Sequence, residues 1–429
     1  MRGAQSGLLA RYPGIASIAR NGSALSFSQV GDALIRGVYA LLIGGILGAA
    51  QYGIWSLVAT VYMAVVTVIS LGLESLLEAK AGVVGRPSNR LIQTSLAIRI
   101  ASLTVVAAIS VPAIFVFESN EALRIAFFLA VPALVARSLT MWARSILTAR
   151  ENAFGAMKIA VASRLGEVFL GIGMLLAGQD IYVLLALHSA IWIAEAGLTL
   201  RKAASHAPIL DIHLNRSEAK AVLLDGLLVG LTVSGIAILN AAPVLLGRLA
   251  GISLAGIGNL GIALQISALG IFFVQGFLSA AFPILNRAEQ RGDKRVYRFA
   301  MVSFFLIGSA SSAVAVLAYL FGTPALTFTL GQDYTVAGEI LPLALIIGGV
   351  CAAPIGFWQI LIVRDKPTSG AIAVWLGIIA GLVSYLALLF RFGLVGILLA
   401  VTIAWTVRAM ILLVSFRCLV KQSHHQNPT

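Results

Sequence analysis

The chain has 429 residues, of which 59% are hydrophobic and only 11% charged, and its mean hydropathy is +0.98. This composition excludes a soluble globular domain, and the gaps between its apolar runs are too short to fold alone. The net charge of +13 would suggest nucleic acid in a soluble protein, but its distribution follows the sidedness of loops around a membrane, so no nucleic-acid partner is expected.

Apolar runs of helical length predict twelve membrane-spanning helices, at 23–49, 52–77, 91–117, 122–147, 154–177, 181–200, 221–249, 255–285, 296–321, 336–363, 369–390 and 394–418. A hydrocarbon core about 30 Å thick needs roughly 20 helical residues, because in lipid only a helix or a closed barrel satisfies its own backbone. The runs are too long for barrel strands. The chain therefore reads as an all-α integral membrane protein divided at its longest polar connection. Residues 1–22 form an N-terminal tail, 23–200 a first lobe of six helices, 201–220 an inter-lobe loop, 221–418 a second lobe of six, and 419–429 a C-terminal tail.

The basic residues settle which side is which. Twenty-two of the 30 Lys and Arg fall at the ends shared with the two tails, among them Arg90, Arg150, Arg201, Lys220, Arg298, Lys366 and Lys421. The opposite loops hold only Arg124, Arg248 and Arg391 beside Glu118, Glu121, Asp180 and Asp333. Both termini are expected in the cytoplasm. Cys351 and Cys418 lie too far apart in depth for a disulfide and read as packing residues.

Six spans before the polar connection and six after suggest a duplication. Residues 48–57 align without gaps on 251–260, matching at Gly48/Gly251, Gly53/Gly256, Ile54/Ile257 and Leu57/Leu260. Both segments join the first two spans of a lobe. Pro342 and Pro354 share one span, which is expected to bend or break.

Three segments carry a family resemblance. They are Leu47-Gly-Ala-Ala-Gln-Tyr-Gly-Ile-Trp-Ser-Leu57 with Ser70-Leu-Gly-Leu-Glu-Ser75, then Ala281-Phe-Pro-Ile-Leu-Asn-Arg-Ala-Glu-Gln-Arg-Gly-Asp293, and Arg391-Phe-Gly-Leu-Val-Gly-Ile-Leu-Leu-Ala400. Together they resemble the polysaccharide-export and O-antigen flippase branch of the multidrug/oligosaccharidyl-lipid/polysaccharide (MOP) exporter superfamily. The resemblance implies two six-helix lobes around a central cavity and alternating access. It implies a polyprenyl-diphosphate-linked oligosaccharide as substrate, surface polysaccharide synthesis at the bacterial inner membrane, and polymerase and chain-length proteins as partners. No cofactor or metal is implied.

Charges inside the spans are costly, at least about 2.5 kcal/mol each near the bilayer centre, and so are functional candidates. Arg36, Arg99, Arg137, Arg164 and Arg408 all fall at a depth of about 12 to 20 Å from the basic side, counted along their helices. A guanidinium binds phosphate in bidentate fashion and stays charged in an apolar setting, so this layer suits a diphosphate. The same residues have a structural reading, because Asp32 and Arg36 are four apart, Arg164 and Glu167 are three apart, and Arg99 is placed to snorkel. Asp32 and Glu167 are candidates for ion coupling. His188 reads as a packing residue, Glu195 and Asp225 as interfacial acids, and Asn240, Gln265 and Gln275 as interhelical hydrogen-bonding groups.

The sequence has no metal-ligand cluster, phosphate-binding glycine loop or nucleophile–base pair at a recognisable spacing. Two alternatives remain beside a flippase. A drug or cation antiporter of the same superfamily would share the fold. A membrane-embedded polysaccharide polymerase or ligase would need an outer loop with catalytic arginines, and the 322–335 connection contains no Lys or Arg at all.

Overall fold

A computed structural model describes residues 13–84, 88–150, 152–207, 216–290, 295–364 and 366–426. Among these the chain is helical, with no strand. The helices are α1 (Pro13–Ser70), α2 (Leu73–Val84), α3 (Asn89–Phe117), α4 (Glu121–Ala149), α5 (Ala153–Leu176), α6 (Ile181–Ala204), α7 (Arg216–Leu249), α8 (Leu254–Gln290), α9 (Arg295–Leu330), α10 (Thr335–Ala352), α11 (Ile355–Val363) and α12 (Thr368–Gln426). Eleven stretches are apolar and long enough to cross a membrane, and the first of them, Leu34–Ser70, is interrupted at Gly48.

Two of these helices are hairpins. Gly48 in α1 has φ 74° and Gly393 in α12 has φ 52°, a region that costs glycine nothing. A Cβ on Gly44 would lie 3.5 Å from Tyr52, and one on Gly396 would lie 2.5 Å from the Leu388 carbonyl. Residues eight apart in a straight helix are about 12 Å apart, so the chain reverses at both glycines. Counting each arm, and taking α2 with the second arm of α1 and α11 with α10, gives twelve crossings in two sets of six. The span holding Pro342 and Pro354 is broken between α10 and α11, at Ala353 and Pro354. Helix also extends beyond the expected spans at both ends, from Pro13 instead of 23 and to Gln426 instead of 418. The centre of the inter-lobe connection, 208–215, lies outside the described residues.

The two loops matched in sequence each carry a glycine at positive φ, 74° at Gly48 and 77° at Gly251. They also meet. A Cβ on Gly53 would fall 1.9 Å from the Leu254 carbonyl oxygen, and one on Gly258 would fall 1.9 Å from that of Ala49. Only glycine lets the second arm of α1 and the start of α8 approach this closely. The largest buried apolar cluster lies across this contact, drawing Ile43 and Leu57 from the first lobe and Ile257, Tyr334 and Trp405 from the second. Tyr334 donates its hydroxyl hydrogen to the Gly44 carbonyl at 2.7 Å. Asn259 ties the same region together, donating to the Asp333 carbonyl at 2.9 Å and accepting from the Ala337 N–H at 2.7 Å.

At the other end, where the basic connections gather, the lobes keep separate apolar clusters. Leu77, Ile92, Trp142, Leu147 and Ala203 form one, and Tyr297, Phe357, Leu361 and Phe416 form the other. Two ion pairs join the lobes along the seam between α3 and α7. Arg90 meets Glu218 at the basic end, with the Nε hydrogen bond at 2.8 Å. Arg248 grips Glu118 at the opposite end with both nitrogens, Nη2 at 2.7 Å and Nε at 3.3 Å. Burial alone would raise the Glu118 pKa, but hydrogen bonds from Arg248 and the Asn120 N–H and the field of Arg124 hold it below the ordinary carboxylate value. The contribution of that pair is therefore present above the usual carboxylate range and is lost only as pH falls through the depressed value.

Candidate functional site

A chain of buried polar side chains crosses the first lobe on α1, α4, α5 and α6. Arg164 on α5 donates through Nη1 to Glu167, one turn further along, and through Nη2 to Glu195 on α6 at 2.7 Å. The other oxygen of Glu195 pairs with Arg144 on α4. The other oxygen of Glu167 meets Nδ1 of His188 on α6, whose Nε2 lies 3.1 Å from the Tyr62 hydroxyl. Arg137 on α4 donates to that hydroxyl oxygen at 2.9 Å.

The donors and acceptors order themselves. Arg137 fills one lone pair of Tyr62, leaving the Tyr62 O–H to donate to Nε2 of His188; Nδ1–H of His188 then donates to Glu167. Trp192 anchors the cluster, with the guanidinium of Arg164 4.0 Å and that of Arg137 4.6 Å from its ring centre. The rings of Trp55 and Tyr62 lie edge-on to His188 at 5.2 and 5.5 Å.

The five candidate arginines are thus not one open layer. Arg137 and Arg164 share Trp192, and Arg36 lies within electrostatic reach of Glu167. The Asp32 side chain lies outside the described residues. Arg99 on α3 does not snorkel: it is fully buried, paired with Glu74 on α2 and hydrogen-bonded to Ser138 at 3.2 Å. Leu71 (φ 50°) and Gly72 (φ 75°) break the helix just before Glu74 and turn α2 toward that arginine. Leu71 is not a glycine, so it carries real backbone strain.

Arg408 stands in the other lobe on α12. It is buried, stacked on Trp405 at 5.1 Å, and faces Cys351 on α10. Among the described residues no carboxylate pairs with it, and its Nε and Nη1 have no hydrogen-bond partner.

Several residues play parts different from those the sequence suggested. Glu195 is not interfacial but wholly buried between two arginines, and His188 is linked to two polar groups. Asp225, Asn240 and Gln275 are exposed and Gln265 is half-buried. Glu74, Tyr62, Arg144 and Trp192 were not singled out from sequence. Glu74 alone had a signal, lying inside the Ser70–Ser75 segment.

No family model matches the chain, and no curated protein does. Solved structures match over nearly its whole length. An inward-facing structure of a multidrug resistance MATE family transporter of the MOP superfamily has a TM-score of 0.65 at 16% identity, covering 93% of this chain and 96% of that one. An outward-facing structure with the same family description gives 0.64 at 17% identity, covering 95% and 97%. A MATE transporter from Vibrio cholerae, VcmN, in its bent form gives 0.59 at 12%, covering 95% and 98%. The fold is that of the MATE transporters in the MOP superfamily. The near-equal inward and outward scores give no preference between the two states.

Proposed function

We propose that the protein is a membrane transporter that moves polyprenyl-diphosphate-linked oligosaccharide units across the bacterial cytoplasmic membrane by alternating access between its two lobes. The observation that carries this is the charge balance inside the spans. Among the described residues the fully buried charged side chains are four arginines (Arg99, Arg137, Arg164 and Arg408) and two acids (Glu167 and Glu195), with Glu74 part-buried beside Arg99. A surplus of positive charge in a low-dielectric setting favours an anionic cargo. Arg408 is the strongest single contact for it, since the buried carboxylates all belong to the first lobe.

Within the same reading, Asp32 and Glu167, the latter hydrogen-bonded to His188, are the candidates for ion coupling, and polysaccharide polymerase and chain-length proteins are the partners that would receive the cargo. A second reading, export of small organic cations, draws support from the names of the structural neighbours. Their fold also weighs against a polymerase or ligase.

Purified protein in vesicles separates these readings. A fluorescent polyprenyl-diphosphate oligosaccharide should cross to the far leaflet, and Arg408→Gln should slow that by about tenfold, as expected for a lost charge-assisted contact of about 1.4 kcal/mol. Export of ethidium without movement of the diphosphate lipid would replace this reading with the second.

Sidedness has its own test. We place the basic end in the cytoplasm on the distribution of Lys and Arg. In a chain with Cys351→Ala and Cys418→Ser, an impermeant maleimide added outside intact cells should label Gln332→Cys and reach Ser205→Cys only after permeabilisation. The reverse pattern would invert the topology.

A further inference from the structure

We propose that the two ion pairs joining α3 to α7, Arg90–Glu218 and Glu118–Arg248, are a matched set of latches, each closing the same seam between the lobes at one end. Both sit on the same two helices, at opposite ends, and each joins residues about 130 positions apart across the two lobes. A lobe that rocks to open one end must part the pair there while the other pair holds as a pivot. α7 also packs closely against the turn before α2, nearer the Arg90 end: a Cβ on Gly72 would come within 2.7 Å of the Gly226 carbonyl oxygen and 2.8 Å of the Gly230 nitrogen.

The latches are unequal. Arg90 is exposed, with 71% of its side chain accessible, so its pair is screened by water and salt and holds weakly. Both pairs are bidentate, but Arg248 and Glu118 are only 28% and 14% accessible, so theirs is the less screened. The packing has the same bias, since the apolar core is shared between lobes at the Glu118 end and divided at the Arg90 end. The seam therefore opens more readily at the basic end, and Glu118–Arg248 is the pair that keeps the other end shut. Among the described residues, the outer end of the pseudo-equivalent seam has no such pair. The Gly48/Gly251 correspondence sets Gly45 opposite Arg248, and a Cβ on Gly45 would meet only the Leu330 side chain, at 3.3 Å.

The proposal takes its purpose from the transport reading, but its test needs no substrate. Ser56 is buried at the α1–α8 contact of the Glu118 end, where a Cβ on Gly261 would touch its hydroxyl. Ser56→Cys, in a chain with Cys351→Ala and Cys418→Ser, reports opening there through its rate of labelling by a small charged thiol reagent.

Glu118→Gln should raise that rate about fivefold, or roughly 1 kcal/mol at RT of about 0.6. The charge-swapped pair Glu118→Arg with Arg248→Glu should return it to the parental value, and Glu218→Gln should leave it unchanged or lower it. An unchanged rate in Glu118→Gln overturns the proposal, as does a swapped pair that still labels fast. If Glu118→Gln fails to accumulate, the swapped pair carries the test: it must accumulate and label like the parent, and its failure overturns the latch. Labelling that changes as expected in a protein that moves no diphosphate lipid would leave the latch standing and remove the transport reading.

Discussion

Glu74→Gln is expected to lower stability by about 3 to 5 kcal/mol and to strip much of the protein from the membrane. The reason is the position of Arg99. Its guanidinium is wholly buried, and among the described residues its one carboxylate partner is Glu74, with the Ser138 hydroxyl beside it. Glutamine keeps the shape and a hydrogen-bonding oxygen but removes the counter-charge, leaving a cation that has lost its water without compensation. Removing both members should behave differently. Glu74→Gln combined with Arg99→Met takes away the stranded charge as well as the pair, and an apolar side chain of similar volume often replaces a buried ion pair at little loss. Thermal melting of purified protein in detergent, followed by size-exclusion fluorescence, distinguishes the cases. A single variant that melts like the parent would show that the pair does not hold the α2–α3 packing. A double variant that recovers melting and still transports would remove Arg99 from the substrate-binding set.

Gly258→Ala should be at least as damaging, although it adds only a methyl group. The new carbon would lie 1.9 Å from the Ala49 carbonyl oxygen and 3.1 Å from the Gly53 nitrogen, and both are backbone atoms that cannot swing aside. Overpacking typically costs about 1 to 3 kcal/mol when side chains can adjust, so a clash with fixed backbone belongs at or beyond the top of that range. The lobes must separate here or the helices must shift. The comparison that isolates the effect is Gly308→Ala, where nothing lies within 4 Å of the added carbon. That change should be neutral or gain up to about 1 kcal/mol of helix propensity. Equal melting temperatures for the two variants would mean that the α1–α8 contact is not as tight as its geometry implies.

Much of this architecture was legible because its signals are local or periodic. Length and hydropathy marked the crossings, and the break at Pro354 followed from two prolines in one span. Both glycines of the Gly48/Gly251 match have a positive φ, 74° and 77°. The Arg164–Glu167 pair was visible for the same reason, as three-residue spacing puts two side chains on one helix face.

The rest of the network depends on which helix faces which, and that is not written in spacing. Glu195 pairs with Arg164 over 31 positions, Glu74 with Arg99 over 25, and His188 with Tyr62 over 126. Depth counted along each helix gave the arginines a common level but no direction. It could not separate Arg99, locked against Glu74, from Arg408, which has no acid beside it.

The uneven placement of charge makes the two lobes respond differently to voltage. In the first lobe most of the buried arginines travel with carboxylates, so a rocking motion displaces little net charge. Arg408 has no such companion among the described residues, and moving one elementary charge through a full 100 mV corresponds to about 2.3 kcal/mol. On the transport reading, a diphosphate with two negative charges seated on Arg408 would reverse the sign of that charge, so the membrane potential would act on the empty and the loaded second lobe in opposite directions. If the basic end faces a negative interior, as proposed, that field would draw the vacant lobe toward the loading side and push the loaded one away from it.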